Sequence, residues 1–182
     1  MKKKVILVTG AAGFIGYHVV KKMMNKKNVI IGIDSLNDYY DVNLKKKRIK
    51  NLLSISKKKK LNFTFKKLDL SNTKNLKKTF QKFKFSYIIH LAAQAGVRYS
   101  ISNPENYVKN NLVGFSNIIQ EARLNKIKHL LYASTSSVYG SNRTLPFEEK
   151  HIADHPIQFY AATKRANELI AHAYSTLFKL PT

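Results

Sequence analysis

The chain should fold as an α/β domain on a doubly wound parallel sheet. Two observations predict this. Apolar runs of strand length alternate with longer stretches of helical periodicity from one end to the other, the pattern of strand–helix–strand units. A glycine-rich turn, Gly10-Ala11-Ala12-Gly13-Phe14-Ile15-Gly16, separates the first strand from the first helix. Right-handed crossovers then place helices on both faces of the sheet.

Lys4–Thr9 is a continuous strand-like run, and residues 14–26 carry Ile15, Val19, Val20, Met23 and Met24 as a helical stripe. Residues 29–33 make a second buried strand, 41–53 a very polar helix, and 61–68 a third strand with Phe63 and Phe65 on alternate positions. A helix over 73–83, a strand over 87–91, a long helix over 104–123, a strand over 129–134 and a last helix over Phe159–Phe178 complete the order. In the last helix Leu169, Ile170, Ala173 and Leu177 share one side. The longest irregular stretch, 140–157, lies between the fifth strand and this helix. A loop of that length in a compact domain is usually functional.

The 182 residues suit one domain, and a 44% hydrophobic content supports a sizeable core. No cysteine is present, which rules out disulfides and thiolate metal sites within this sequence. The apolar run after Met-Lys-Lys-Lys is too short for a signal core or a membrane span. The expected protein is soluble and cytoplasmic, with no metal. A formal net charge of +23 raises the question of nucleic acid. The lysines, as in Lys45-Lys46-Lys47 and Lys57 to Lys60, fall in polar stretches with little aromatic interleaving. They are expected to be solvated surface charge rather than a nucleic-acid interface.

The three glycines of the turn serve separate mechanical purposes. Gly10 makes the tight turn, Gly13 lets the backbone approach a pyrophosphate, and Gly16 lets helix and strand pack closely. The helix that follows offers free N–H groups and the positive end of its dipole to that anion. Asp34 ends the second strand, 18 residues after Gly16. A carboxylate there accepts from the ribose hydroxyls of adenosine and repels a 2′-phosphate, which favours NAD over NADP.

Tyr160 and Lys164 stand four apart in the last helix and so share a face. A neighbouring ammonium favours the phenolate, which suits a general base acting on a sugar hydroxyl. The fifth strand ends in Ser134-Thr135-Ser136-Ser137-Val138-Tyr139-Gly140. Ligands of open α/β sheets bind at such strand ends, and the hydroxyls there can hold a substrate oxygen.

These pieces together resemble the extended short-chain dehydrogenase/reductase family of nucleotide-sugar epimerases and dehydratases. The resemblance runs from Lys4 to Pro181 and rests on Val8 to Gly16, Asp69-Leu70, His90-Leu91-Ala92-Ala93, Asn110-Asn111, Ser134 to Gly140 and Tyr160-x-x-x-Lys164. It implies a Rossmann domain holding NAD. Phe14 and Ile15 would lie under the pyrophosphate, Asp34 and Asn37 on the adenosine ribose, and Asp69 and Leu70 beside the adenine. Leu91, Ala92, Ala93 and Ala95 would line the groove, with Asn110 near it. By the same resemblance Thr135 contacts the substrate O4, Tyr160 is the base, and Lys164 holds the nicotinamide ribose.

Within the family, 4,6-dehydratases carry Asp-Glu after the position of Thr135, whereas this chain has Ser136-Ser137. The resemblance then points to epimerisation at C4 of a UDP-sugar. Gln94 to Ser100 and Asp34 to Lys45 resemble UDP-glucuronate 4-epimerases, in which Arg98, Ser136 and Ser137 would meet the sugar carboxylate. A UDP-glucose 4-epimerase, a dehydratase, and an inactive NAD-binding piece of such an enzyme stay open as alternatives. Members of the family are longer. Residues 1–182 are expected to be the NAD-binding domain, with a C-terminal nucleotide-sugar domain lacking. Family homodimers form through two long helices, here matching 104–123 and Phe159–Phe178, so a homodimer is expected.

Overall fold

A computed structural model describes residues 3–182. The strands β1 (Lys4–Thr9), β2 (Asn28–Asp34), β3 (Asn62–Lys67), β4 (Tyr87–His90) and β5 (His129–Tyr132) form one sheet in the order β3-β2-β1-β4-β5. Every pairing is parallel. The helices are α1 (Phe14–Met23), α2 (Val42–Lys58), α3 (Thr73–Lys82), α4 (Tyr99–Ser102), α5 (Pro104–Tyr107), α6 (Gly114–Leu124) and α7 (Phe159–Phe178).

Register and alternation decide which side chains meet. Leu7 stands opposite Ile31 and Ile88, and Ile88 opposite Leu130. These residues share one face, where Leu76 and Phe80 of α3, Phe115, Ile118 and Ile119 of α6 and Ala171 of α7 close over them. Ile6, Val8, Ile30 and Phe63 point to the other face, under Val20 of α1 and Ile49 and Leu52 of α2. With both faces covered, the middles of β1, β2 and β4 are apolar throughout, whereas β3 at the edge alternates Phe63 and Phe65 with polar residues.

The chain moves outward from β1 through β2 to β3 and then returns to β4 on the opposite side of β1. Strand order therefore reverses between β1 and β4, and a crevice opens at the carboxyl ends of these two strands.

Several boundaries differ from the sequence expectation. The first helix ends at Met23 rather than 26, because the Asn25 and Asn28 amides donate to the Met23 carbonyl at 3.2 and 2.8 Å. Helix α2 continues to Lys58, past the expected 53. Its buried line is Lys45, Ile49, Leu52 and Ser56, a stripe polar at both ends. So Lys57 and Lys58 join Lys45, Lys46 and Lys47 in the helix, and Lys45 is buried rather than solvated. The long helix expected over 104–123 is interrupted. A π-type turn, Val108–Val113, separates α5 from α6.

On its outer side β5 receives one contact, the Leu130 N–H donating to the Pro181 carbonyl at 2.9 Å. Leu180 beside it is buried in the core. Among the described residues no helix is long and apolar enough to cross a membrane.

Candidate functional site: a groove at the carboxyl edge of the sheet

The first wall of the crevice is the glycine turn. Gly10 has φ +70°, and a Cβ there would lie 2.8 Å from the Ala92 nitrogen. Gly16 is closer still to its neighbour: a Cβ would lie 2.0 Å from the Gly10 carbonyl oxygen. Glycine alone lets α1 begin this close to β1. Gly13 caps α1 with no side-chain hydrogen bond, and Phe14 and Ile15 are exposed above it. The helix thus presents unsatisfied N–H groups to the groove.

The groove has a volume of about 520 Å³. Its floor is the glycine turn with Phe14 and Ile15. One end is formed by Asp34, Asn37, Tyr40, Lys45 and Arg48, the side by Asp69 and Leu70, and the far wall by Leu91, Ala92, Ala93, Ala95 and Asn110. The cofactor residues named from sequence, apart from Tyr160 and Lys164 on α7, all line this groove. Its shape and chemistry fit a dinucleotide: a backbone cradle that a Cβ would fill, helix N–H groups, and a carboxylate at the β2 end.

The Asp34 carboxylate accepts from the Ala12 N–H at 3.0 Å and the Leu36 N–H at 2.8 Å. One acidic side chain so fixes the glycine turn to the end of β2, with lone pairs left over. Burial pushes the Asp69 carboxyl up, but hydrogen bonds from Ser71 and the Lys109 ammonium outweigh it and hold the group below its ordinary value. The Lys109 nitrogen is 3.0 Å away.

Beneath the far wall lies a buried polar chain. The Thr9 hydroxyl accepts from the Leu91 and Ala92 N–H groups, each at 3.1 Å. Its own proton then goes to His90 Nδ1, 2.9 Å away, which leaves the imidazole neutral and protonated on Nε2. Burial, with the Lys164 charge second, lowers the His90 pKa to about 3. Asn111 is also buried. It accepts from the Gln94 N–H at 2.7 Å and donates to the Gln94 carbonyl and the Thr163 hydroxyl, each at 3.1 Å. The wide π turn lets adjacent residues serve different ends: Asn111 ties the groove wall to α7 while Asn110 lines the groove.

Helix α7 brings up the candidate catalytic pair. The Tyr160 N–H donates to the buried Ser100 hydroxyl at 3.2 Å, and its ring lies edge-on to Tyr107 with centroids 6.1 Å apart. Lys164 is 3% exposed, and burial lowers its pKa to about 8, with Glu168 acting in the opposite direction. Burial likewise raises the Tyr107 hydroxyl to about 12. It stays a donor, to the Ala95 carbonyl at 2.9 Å and to the Gly96 carbonyl.

At the end of β5, Thr135 caps a 3₁₀ turn, Ser136–Tyr139, by accepting from the Ser137 N–H at 3.2 Å. Ser136 is exposed and Ser137 half-buried. The Ser134 hydroxyl donates to Glu168, which also receives Arg165 at 2.7 Å; Arg165 reaches on to Asp154 at 3.1 Å. This chain joins the strand end, α7 and the 140–157 stretch. Arg98 is exposed where α4 begins and does not line the groove.

Sequence reasoning quoted His90, Asn111, Tyr40 and Lys45 within motifs but gave them no role, and it missed Arg48 at the groove and Glu168 on α7. Glu168 had a signal, since it follows Lys164 by the same four-residue step that separates Lys164 from Tyr160. Lys45 had one too, standing four residues before Ile49 and seven before Leu52 in the predicted helix.

A parallel sheet in this order, with a glycine cradle at its switch point and a Tyr-x-x-x-Lys helix at its carboxyl edge, defines a Rossmann domain of the short-chain dehydrogenase/reductase type. The profile of the family described as GDP-mannose 4,6 dehydratase matches residues 7–182, and the chain belongs to that family. It is similar to the protein CapI of Staphylococcus aureus, 51% identical over 97% of this chain and 51% of CapI. It is also 44% identical to a probable UDP-glucuronate 4-epimerase of Rhizobium meliloti, over 97% of this chain and 50% of that one. Among solved structures, a UDP-glucuronic acid 4-epimerase from Bacillus cereus, in complex with UDP-glucuronic acid and NAD, superposes with a TM-score of 0.85 at 33% identity, covering 97% of this chain and 54% of that one. The chain spans about half the length of the curated relatives it matches.

Proposed function

We propose that this chain binds NAD and forms the catalytic half of a UDP-sugar 4-epimerase, with UDP-glucuronate as the substrate. The observation that carries this is the glycine-floored groove whose wall is tied, through Asn111 between Gln94 and Thr163, to the helix α7 that carries Tyr160 and Lys164. The similarity to UDP-glucuronate 4-epimerases supports the substrate. Ser136 and Ser137 support epimerisation over water elimination, since neither supplies the carboxylates that elimination calls for.

Gly13, Phe14 and Ile15 hold the pyrophosphate through backbone N–H groups, and Asp34 takes the adenosine ribose hydroxyls. Lys164 would hold the second ribose, and the buried His90, lowered well below its ordinary pKa, adds no rival charge. Thr135 fixes the C4 hydroxyl of the sugar, and Tyr160 removes its proton and later returns it. The bound nicotinamide supplies a reversible hydride acceptor, which permits inversion at C4 through a 4-keto sugar. Ser136 and Ser137, at the strand end, would meet the sugar carboxylate, with the exposed Arg98 as a further partner.

Titrating the chain with NAD in a calorimeter tests the first half of the proposal. Absence of binding at about 1 mM, an affinity of only about 4 kcal/mol, overturns it. NMR of UDP-glucuronate incubated with the NAD-loaded chain tests the second. UDP-galacturonate is the expected product, and Tyr160→Phe should abolish it while keeping NAD affinity. Turnover that survives Tyr160→Phe removes the catalytic assignment.

A further inference from the structure

The mechanism above gives no part to Tyr39, although its side chain lines the groove. Tyr39 belongs to the segment after β2, whereas Gly96 and Tyr99 belong to the segment after β4. Strands β2 and β4 flank β1 on opposite sides, and residues of both segments line the groove that opens at its end. A contact between the two segments therefore spans that groove. The Tyr39 and Tyr99 rings lie 5.0 Å apart, centre to centre. The Tyr39 hydroxyl stands closer to Gly96 than a Cβ there would allow. Gly96 has φ +99°, so glycine answers here to both the backbone turn and the close approach.

Both ends of this bridge are anchored. On the β2 side the Lys45 ammonium donates to the Asn37 carbonyl at 2.7 Å and to Asn37 Oδ1 at 2.6 Å, and Arg48 donates to the Tyr40 hydroxyl at 2.9 Å. On the β4 side Tyr107 donates to the Ala95 and Gly96 carbonyls, and the Ser100 hydroxyl accepts from the Tyr160 N–H. The Tyr39 ring between them is 42% exposed. Beyond it lies a second cavity of about 260 Å³, which shares Ser35, Asn37, Tyr39, Asp69, Gln94 and Asn110 with the groove. Rotation of the ring away from Gly96 has space to enter, and it joins the two cavities into a wider mouth.

We propose that Tyr39 is the bar of a clasp across the dinucleotide groove: closed on Gly96 and Tyr99 it retains NAD between the two hydride transfers, and its swing admits and releases the dinucleotide. This rests on the proposed NAD binding. Exchange of the dinucleotide then waits on a conformational step. The chain's own residues make the contact, so it slows entry as well as exit. A residue that only touches bound NAD would slow exit alone.

Stopped-flow fluorescence of NADH reads both rates in the 182-residue chain: entry on mixing, exit on dilution into excess NAD. Tyr39→Ala is expected to speed entry and exit about fivefold each, the worth of one aromatic pair, and to leave the dissociation constant within about twofold. Tyr99→Ala removes the latch from the opposite side and should reproduce those rates. Tyr39→Phe keeps the ring and should stay within about twofold of wild type. Melting curves accompany each variant, and if one alanine variant fails to fold the other decides by the same criterion. Wild-type rates in a folded alanine variant, faster exit with unchanged entry, or Tyr39→Phe as fast as Tyr39→Ala overturns the clasp. If wild type leaves NADH fluorescence unchanged at about 1 mM chain, it is the proposed NAD binding that fails.

Discussion

Replacing Gly16 by alanine puts the close approach of α1 and β1 to a direct test. A Cβ on Gly16 would lie 2.0 Å from the Gly10 oxygen and 2.7 Å from the Gly10 carbonyl carbon. A carbon–oxygen contact relaxes only at about 3.3 Å, so the start of α1 must retreat by roughly 1.3 Å. Nothing flexible can give way, because the obstacle is backbone. The retreat drags Val20, fully buried against Ile6 and Val8, and overpacking of this kind costs about 3 kcal/mol. In a domain of this size that is a fall in Tm of about 6–12 °C, read by circular dichroism. NAD binding should be lost as well, since the N–H groups at the head of α1 move with it. Gly13→Ala is the control. Its Cβ would meet only the Gly10 oxygen, at 3.1 Å, so it should cost less than about 1 kcal/mol. Equal melting of the two variants, or Gly16→Ala melting within about 1 °C of wild type, would refute the steric reasoning.

Two further outcomes follow from the buried polar groups. Burial lowers the Lys164 pKa from 10.5 to about 8, so between those values the unfolded chain binds more protons than the folded one, and stability climbs as pH rises through that window. Below it the full cost, about 3 kcal/mol, is present; Lys164→Met should therefore melt higher than wild type at neutral pH and lose the alkaline rise, whereas identical pH slopes would sink the point. Asn111→Ala removes bonds at 2.7, 3.1 and 3.1 Å and strands the Gln94 N–H, for a loss of about 2–4 kcal/mol in urea unfolding; a loss under about 1 kcal/mol would show that the wall and α7 hold together without it.

What the sequence discloses here is what local spacing carries. The glycine turn and Asp34 are defined by short separations along one chain, and the turn stands between β1 and α1 with Asp34 at the end of β2; Tyr160 and Lys164 both lie on α7. Helical phase singles out Lys45, four before Ile49 and seven before Leu52, but the burial of an ammonium there depends on Asn37 and Tyr40, which reach it from outside the helix. The π turn was hidden for a related reason: an extra residue per turn is imposed by Asn111 reaching Gln94 and Thr163, contacts remote in sequence. Arg98 was assigned by resemblance alone, and its exposed position leaves that assignment with no local geometry behind it.

The single contact between Leu130 and Pro181 has a practical side. It seats the residues after α7 against the outer rim of the sheet, well away from the glycine cradle between β1 and β4. Leu180 and Pro181 thereby cover part of the exposed edge of β5, and a polar residue in place of Leu180 should loosen that rim while leaving the cradle in place. A melting curve of such a variant reports on the rim, and an NAD titration beside it reports on the cradle.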